Sequence, residues 1–560
     1  MKAGQQDSAV RWLWRGTGKN KNYVLVLILI QGVSGGLGVL YALLLRNIVD
    51  SAVGQDSGGF WHYVLLIIAL VLLQISLAAV IRWLQELAKA DIENRFKQRL
   101  TDKILRKEYS IVSATHTAEW LNRLTNDTTV VSNGIVEILP GLTGTIVRLI
   151  SAVIMVIALD HMFAVILVPG GMVLCVFAYA FRGILKRLHK NIQESDGRLR
   201  VFLQEHIGSL MMIKSFVAEE QTSRAAGDAM DCHKAARMRR IRFSNVANIG
   251  FGVAMRGMYL LGVVYCAYGI LNGTVTYGTL TAIMQLISQI EGPFVSISGY
   301  LPRYYAMLAS AERLMEIETF AEEENARAAD EVRDFYKRSF SGLCLRDAYF
   351  TYKTDDSAPV VLDGISIEIR KGEYVAFSGH SGCGKSTVLK LLMCMYPLNS
   401  GERILMSAEG DIPLDASWRR LFAYVPQGNA LMNGTIREVV SFADPGGAGN
   451  EERLRRALWI SCADEFVEDL DMVLGERGTG LSEGQMQRIA IARAVFADSP
   501  VLLLDESTSA LDDLTEQRLL QNLRALTDKT VVIVTHRKAA LSICDRVLRF
   551  TKSGVKDVNG

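Results

Sequence analysis

The sequence predicts a multidomain chain. An all-α membrane domain of six transmembrane helices, with long cytoplasmic helical extensions, is followed by an α/β domain. Three observations predict it. Apolar runs long enough to cross a bilayer crowd the first 300 residues. Charge-rich stretches without strand character separate them. After about residue 341, short β-branched runs alternate with helical patterns. Hydrophobic residues make up 50% of the chain and charged residues 21%, the average expected of one membrane half and one soluble half. Lys plus Arg is 61 against 59 for Asp plus Glu, which argues against nucleic acid as the main partner. Eight cysteines without CxxC spacing exclude a disulfide scaffold or a zinc ribbon.

The spans are expected at 23–45, 63–81, 139–159, 162–181, 246–271 and 280–297. The first is longer than a signal-peptide core and no small-residue cleavage site follows, so no cleaved leader is expected. Before it, Trp12 and Trp14 alternate with Arg11 and Arg15; an interfacial amphipathic helix and a plain basic flank both stay open. Nine Lys/Arg lie from Arg82 to Arg123 and thirteen from Arg182 to Arg242, whereas Asp160-His161 and 272–278 have none. This bias puts both termini and the two long loops in the cytoplasm of a multi-pass protein of the cell inner membrane. Each loop is expected to form a helical hairpin. Arms of ~27 residues would project ~40 Å, which suits mechanical transmission better than catalysis.

Arg148, Arg256 and Glu291 fall within or beside apolar runs; a transport pathway and snorkelling to the interface are both open. Gly32 and Gly36 have the spacing of a helix-packing face, and Pro169-Gly170-Gly171 is a candidate kink. Residues 317–341 form a charged connector. The expected domains are therefore 1–320, the connector 321–340, and 341–560.

The chemistry lies in the last of these. Gly379-His380-Ser381-Gly382-Cys383-Gly384-Lys385-Ser386, with Thr387 next, has the form G-x-x-x-x-G-K-[ST]. It follows an apolar strand, 374–378, and opens a helix, 387–395, as a phosphate-binding loop must. Its backbone amides and the helix N-terminus favour phosphate. Lys385 would meet the β- and γ-phosphates, and Ser386 would ligate Mg²⁺. The α/β domain is thus a P-loop nucleotide-binding domain. Strand 501–504 ends in Asp505, a candidate for Mg²⁺, and Glu506, placed to polarise the attacking water.

Residues 352–536 hold, in order, the motifs of ATP-binding cassette transporters, and the chain resembles an exporter-type half-transporter of that family. Tyr352 resembles the aromatic that stacks on adenine. Gln427 resembles the loop glutamine that reaches Mg²⁺ and the water. Leu481-Ser482-Glu483-Gly484-Gln485 resembles the signature, usually Leu-Ser-Gly-Gly-Gln, which contacts the γ-phosphate of ATP held by the opposite subunit. Ser509-Ala510-Leu511-Asp512 resembles the loop that meets the partner domain, and His536 resembles the switch histidine. Gly475-Glu476-Arg477-Gly478 resembles the segment before the signature, and Arg123–Asp127 and Ile213–Phe216 resemble parts of exporter cytoplasmic loops.

The resemblance implies ATP and Mg²⁺ as cofactors. It implies a second half-transporter subunit as partner, a homodimer being favoured because one chain holds every catalytic residue. It also implies contact with membrane lipid and a transported small molecule or peptide. Glu483 departs from the pattern. Ser482 with Gln485 fits a capping box, which would put Glu483 in a first helical turn, where the dipole favours an anion. A heterodimer with unequal sites is the rival reading. Two further alternatives are kept: an exporter-shaped importer of a metal chelate, and a non-transporting regulatory ATPase. With only 22 residues before the first span, no leader-cleaving protease domain is expected.

Overall fold

The structure is a computed structural model. It describes the backbone of all residues except 1–2, 325, 353–358, 429–430, 476–477, 479, 552–553 and 559–560. The side chains of 3–7, 166–168, 171–182, 185–186, 189, 291, 294–295, 297–298 and 301 also lie outside the description. The chain divides into two compact units: 1–102 with 118–318, and 103–117 with 319–560.

The first unit is helical. Its long helices are Lys21–Val53, Ser57–Leu105, Thr128–Leu159, His161–Gly208, Glu219–Leu271 and Tyr277–Thr319. Among the described residues, four helical stretches, Ser8–Val53, Ser57–Leu105, Thr117–Leu159 and Glu219–Leu271, are long and apolar enough to cross a membrane by length and composition. The expected spans 162–181 and 280–297 fall partly on side chains outside the description. Leu65, Leu72 and Ile75 are exposed on the second long helix, as hydrocarbon-facing residues would be.

The arms are extensions of the membrane helices, as expected. Ser57–Leu105 runs unbroken from its apolar run into its charged run, and Glu219–Leu271 does the reverse. A change from apolar to charged marks the edge of the membrane, but it leaves backbone hydrogen bonding intact and does not end a helix. Gly197 lies inside His161–Gly208, and the helix also continues through Pro169. At the N-terminus, Ala3–Thr17 buries Ala9 and Leu13, and the Trp12 ring lies 5.4 Å from that of Phe96.

The helices Lys21–Val53 and Thr128–Leu159 cross at Gly35 and Gly144. A Cβ on Gly35 would sit 2.5 Å from the Gly144 carbonyl oxygen. The expected pair, Gly32 and Gly36, does not make this approach: Gly36 has nothing within 4 Å of an added Cβ. Backbone cannot yield as a side chain can, so Gly35→Val should lower the thermal unfolding midpoint, whereas Gly36→Ala should not. Comparing the two midpoints in detergent tests this. Beyond the crossing, Val39, Ala42, Val156, Phe163, Cys266 and Ile287 form a buried cluster.

The second unit is built on two sheets. The six-stranded sheet has the order Gly554–Asp557, Arg546–Thr551, Tyr374–Ser378, Thr530–Val534, Val501–Asp505, Phe422–Val425; all pairs but the first are parallel. The central strands are buried throughout, which is why they read as continuous apolar runs. A four-stranded antiparallel sheet combines Leu362–Arg370, Phe340–Phe350, Ser400–Ser407 and Ile412–Pro413. The charged connector contains a helix, Ala329–Arg338, whose Val332 and Tyr336 are buried in this unit.

This unit also takes in 103–117. Lys107 donates to the Phe320 carbonyl and pairs with Glu322 at 3.0 Å. Glu323 accepts from Arg419 through both its oxygens. The Tyr109 ring meets that of Tyr396 edge-on at 5.7 Å.

Candidate functional site

Strand Tyr374–Ser378 delivers the chain to a loop that only glycine can turn at three points. Gly379, Gly382 and Gly384 have φ of +140°, +79° and +96°. Gly384 then caps the helix Lys385–Leu392, which starts earlier than the expected 387–395 because Lys385 already takes part in it, and ends earlier too. Lys385 is buried and its ammonium folds back on the loop, donating to the carbonyls of Gly379 at 2.8 Å and His380 at 3.0 Å. Ser381 is exposed, the Cys383 sulfur lies 3.7 Å from the Lys385 ammonium, and Thr387 is buried. A loop of this form offers backbone amides and one lysine charge to phosphate oxygens.

The carboxylates come from the end of strand Val501–Asp505, and the strand beside it, Phe422–Val425, brings Tyr424. Ser386 donates to Asp505 Oδ1 at 2.8 Å, and Tyr424 donates to Oδ2 at 3.1 Å. Burial raises the Asp505 pKa above the ordinary carboxylate value, against those two hydrogen bonds, and the Glu506 charge raises it further. Burial and the Asp505 carboxylate likewise push the Tyr424 phenol up. For an acid with a raised folded pKa, stability is fullest below the unfolded value and is lost as pH rises through the folded one. At neutral pH ionised Asp505 is thus a local cost when nothing cationic is bound. Asp505→Asn should raise the nucleotide-free thermal midpoint by ~2–4 °C, the shift about 1 kcal/mol produces in a domain of 150–250 residues, while abolishing hydrolysis. Thermal unfolding of the purified protein with and without the substitution checks this.

Glu506 has φ +49°, a left-handed conformation unusual for a non-glycine residue and often found where a side chain is aimed for chemistry. Gln427 Nε2 donates to Glu506 Oε2 at 2.8 Å, so the two expected water-handling residues meet. Tyr352 reaches the same region from the other sheet. Its hydroxyl lies 3.1 Å from Thr387 Oγ1, and its ring is edge-on to Tyr396 at 5.2 Å. Tyr396, which the sequence reading did not single out, thereby touches both Tyr352 and Tyr109.

The segment 481–485 starts a helix, Glu483–Phe496. Ser482 Oγ accepts from the Gln485 amide at 3.3 Å and Gln485 Oε1 accepts from the Ser482 amide at 2.9 Å, a complete capping box. Glu483 is the first helical residue and is exposed. A Cβ on Gly484 would lie 2.8 Å from the Ala510 carbonyl, so this glycine is required by the loop 509–512. Gln487, missed in the sequence, ties the same two segments: it donates to Ser509 Oγ at 3.0 Å and accepts from the Ala510 amide at 3.1 Å. Asp512 caps the helix Asp513–Arg524 and Leu511 is buried. Glu476 and Arg477 lie outside the described residues.

His536 is exposed at the end of strand Thr530–Val534. Its neighbour Arg537, also missed, donates to the carbonyls of Thr508 at 2.8 Å and Leu511 at 2.6 Å and pairs with Glu516 at 3.1 Å. A lone arginine in sequence carries no signal for this; its adjacency to His536 is the only hint.

Glu483→Gly should leave steady-state ATP hydrolysis equal or lower. It removes a carboxylate that suits a helix start and adds a flexible residue, at about 1 kcal/mol of local stability. A gain in rate would mean that the carboxylate opposes phosphate instead.

Residues 24–294 match the family described as the ABC transporter transmembrane region, and 362–509 match the family described as ABC transporter. Among curated proteins, a "Multidrug resistance ABC transporter ATP-binding and permease protein" of Lactococcus lactis is 26% identical over 94% of this chain and 89% of its own. A "Leukotoxin translocation ATP-binding protein" of Mannheimia haemolytica is 28% identical over 64% of this chain and 50% of its own. Among solved structures, a bacterial Atm1-family ABC exporter with ATP bound has the same fold, with TM-score 0.77 and 20% identity over 96% of this chain and 94% of that one.

Proposed function

We propose that this chain, which belongs to the ABC transporters and carries their transmembrane region and ATP-binding domain in one polypeptide, exports a hydrophobic, lipid-like, drug-like or peptide solute across the cytoplasmic membrane. ATP hydrolysis is coupled to that transport. The observation that carries the reading is the meeting of Ser386 with Asp505 and of Gln427 with Glu506 beside the Lys385 loop, since hydrolysis needs all of them within reach of one γ-phosphate.

The roles follow from the chemistry. The amides of 379–385 cradle phosphate oxygens and Lys385 gives up its two carbonyl partners for the β- and γ-phosphates. Tyr352 offers a ring face to adenine. Glu506, held by Gln427, accepts a proton from the attacking water and orients it. His536 stands at the γ-phosphate end. Ser386, Asp505 and Gln427 would hold Mg²⁺: a hydroxyl on a buried carboxylate whose ionised form is disfavoured until a cation arrives is a hard-oxygen set that fits it. When bound, the ion supplies positive charge to the phosphate chain.

The segment 481–485 serves ATP held by a partner, so two chains are required, and a homodimer is the simplest assembly because each chain holds a full set. The charge bias supports a multi-pass protein with its termini and ATP-binding domain in the cytoplasm. Domain limits of 1–320, 321–340 and 341–560 go with this arrangement. The multidrug and leukotoxin relatives favour export over uptake of a metal chelate.

Purification of the chain alone provides the test. A dimer of this single chain that hydrolyses ATP in liposomes is expected. Inactivity alone, with activity restored by a stoichiometric second half-transporter, overturns the homodimer.

A further inference from the structure

Tyr352 stands two residues past the end of strand Phe340–Phe350. The strand no longer aims its side chain there, so the ring takes its direction from its neighbours. Its hydroxyl lies 3.1 Å from Thr387 Oγ1, on the helix that follows the phosphate loop. Its ring meets those of Phe350 at 4.9 Å and Tyr396 at 5.2 Å, with interplanar angles of 81° and 88°. Edge-to-face pairs fix the orientation of a ring without stacking on it. Tyr352 remains 47% exposed, and among the described residues no ring lies parallel to it. It is oriented without being covered, as a ring that receives a base has to be.

Tyr396 is itself firmly held. Its carbonyl accepts from the Arg403 guanidinium at 2.9 Å. The same guanidinium nitrogen donates to the Leu391 carbonyl at 3.2 Å, which ties Tyr396 to the end of the helix Lys385–Leu392. The Tyr396 ring is edge-on to Phe350 at 5.8 Å and to Tyr109 at 5.7 Å, and its hydroxyl lies 3.2 Å from Ser113 Oγ. Tyr109 and Ser113 belong to one short helix, Tyr109–Ala114, of the same unit. Tyr396 therefore keeps a fixed place relative to the phosphate loop, and Tyr352 leans on it.

We infer that Tyr396 is a positioning residue for the nucleotide: it holds the Tyr352 ring in the orientation that receives adenine and does not itself touch ATP. This rests on the adenine role given to Tyr352. A ring ordered beforehand spares ATP the cost of ordering it on binding. The phosphates are gripped elsewhere, so the effect is confined to the part of the affinity that the base contributes.

The full-length protein in phosphatidylcholine nanodiscs, with EDTA to prevent hydrolysis, is titrated calorimetrically with ATP and with inorganic tripolyphosphate, which has the phosphates and no base. Tyr396→Leu should weaken ATP binding about 3- to 10-fold, the range of one aromatic pair, and leave tripolyphosphate within about twofold of the parent. The second result also shows that the phosphate loop still forms. Tyr396→Phe keeps the ring and should restore parental ATP affinity. Because Tyr396 acts through Tyr352, adding Tyr396→Leu to Tyr352→Leu should cost no more than Tyr352→Leu alone. Undiminished ATP affinity in Tyr396→Leu, equal loss for both ligands, no rescue by phenylalanine, or losses that multiply in the double variant overturns the inference. Tyr352→Leu tests the underlying role separately. If it leaves ATP affinity unchanged, adenine stacking falls and this inference with it; if it weakens ATP selectively while Tyr396→Leu does not, only the role of Tyr396 falls.

Discussion

Glu506→Gln lowers steady-state ATP hydrolysis about 100-fold or more and leaves ATP affinity within about threefold of the parent, the loss expected when a general base is removed. The substitution is nearly isosteric. The strand Val501–Asp505, the left-handed turn at 506 and the approach of Gln427 all persist. What is lost is a carboxylate able to accept a proton from water. None of the groups that grip phosphate is touched, so ATP still binds and draws two chains together. Without hydrolysis the closed dimer accumulates. Equilibrium ATP binding and phosphate release, measured on the same preparation, check both halves; near-parental phosphate release would contradict the role.

Lys385→Ala fails one step earlier. Its ammonium is buried and donates to the carbonyls of Gly379 and His380, with the Cys383 sulfur at 3.7 Å. Both are acceptors that a phosphate oxygen can replace. A charge-assisted hydrogen bond to phosphate is worth ~1.5–3 kcal/mol, so ATP affinity should fall ~10- to 150-fold. Loss of hydrolysis then follows from vacancy of the site rather than from slowed chemistry, and saturating ATP recovers part of the rate. A filter-binding assay with undiminished affinity would contradict the placement of the loop. The contrast between the two variants separates binding from cleavage, which neither does alone.

The features legible in the sequence are those set by neighbours in the chain. Positions 379–386 could be read because strand, glycines and helix are contiguous, and three positive φ values fall on three of those glycines. The capping box at Ser482 was legible for the same reason, since its two hydrogen bonds span three residues. Gly35 was passed over in favour of Gly32 and Gly36, because the crossing is decided by Gly144, more than a hundred residues away. Arg537, Gln487 and Tyr396 were missed on similar grounds. Their partners, the carbonyls of Thr508 and Leu511, the loop 509–510, and the rings of Tyr109 and Tyr352, become neighbours only in the folded unit. The arms were legible as helical extensions of the membrane helices, because a charged run without glycine or proline leaves backbone hydrogen bonding intact.

Arg537 and Gln487 also show how the site is held. Arg537 fixes the carbonyl side of the loop 508–511 and Gln487 fixes its amide side. His536 is therefore one residue from a group that anchors the loop expected to meet the partner.

The central claim is that hydrolysis at this site drives a solute out of the cytoplasm. Inside-out membrane vesicles from cells producing the parent chain or Glu506→Gln, supplied with ATP and cytosolic extract, test it most directly by comparing the solutes trapped inside. The account predicts at least one solute that accumulates with the parent chain and ATP but not with Glu506→Gln. ATP hydrolysis with no difference in trapped solutes would make the chain a non-transporting ATPase, and ATP-dependent loss of a preloaded metal chelate would make it an importer; either result contradicts the account.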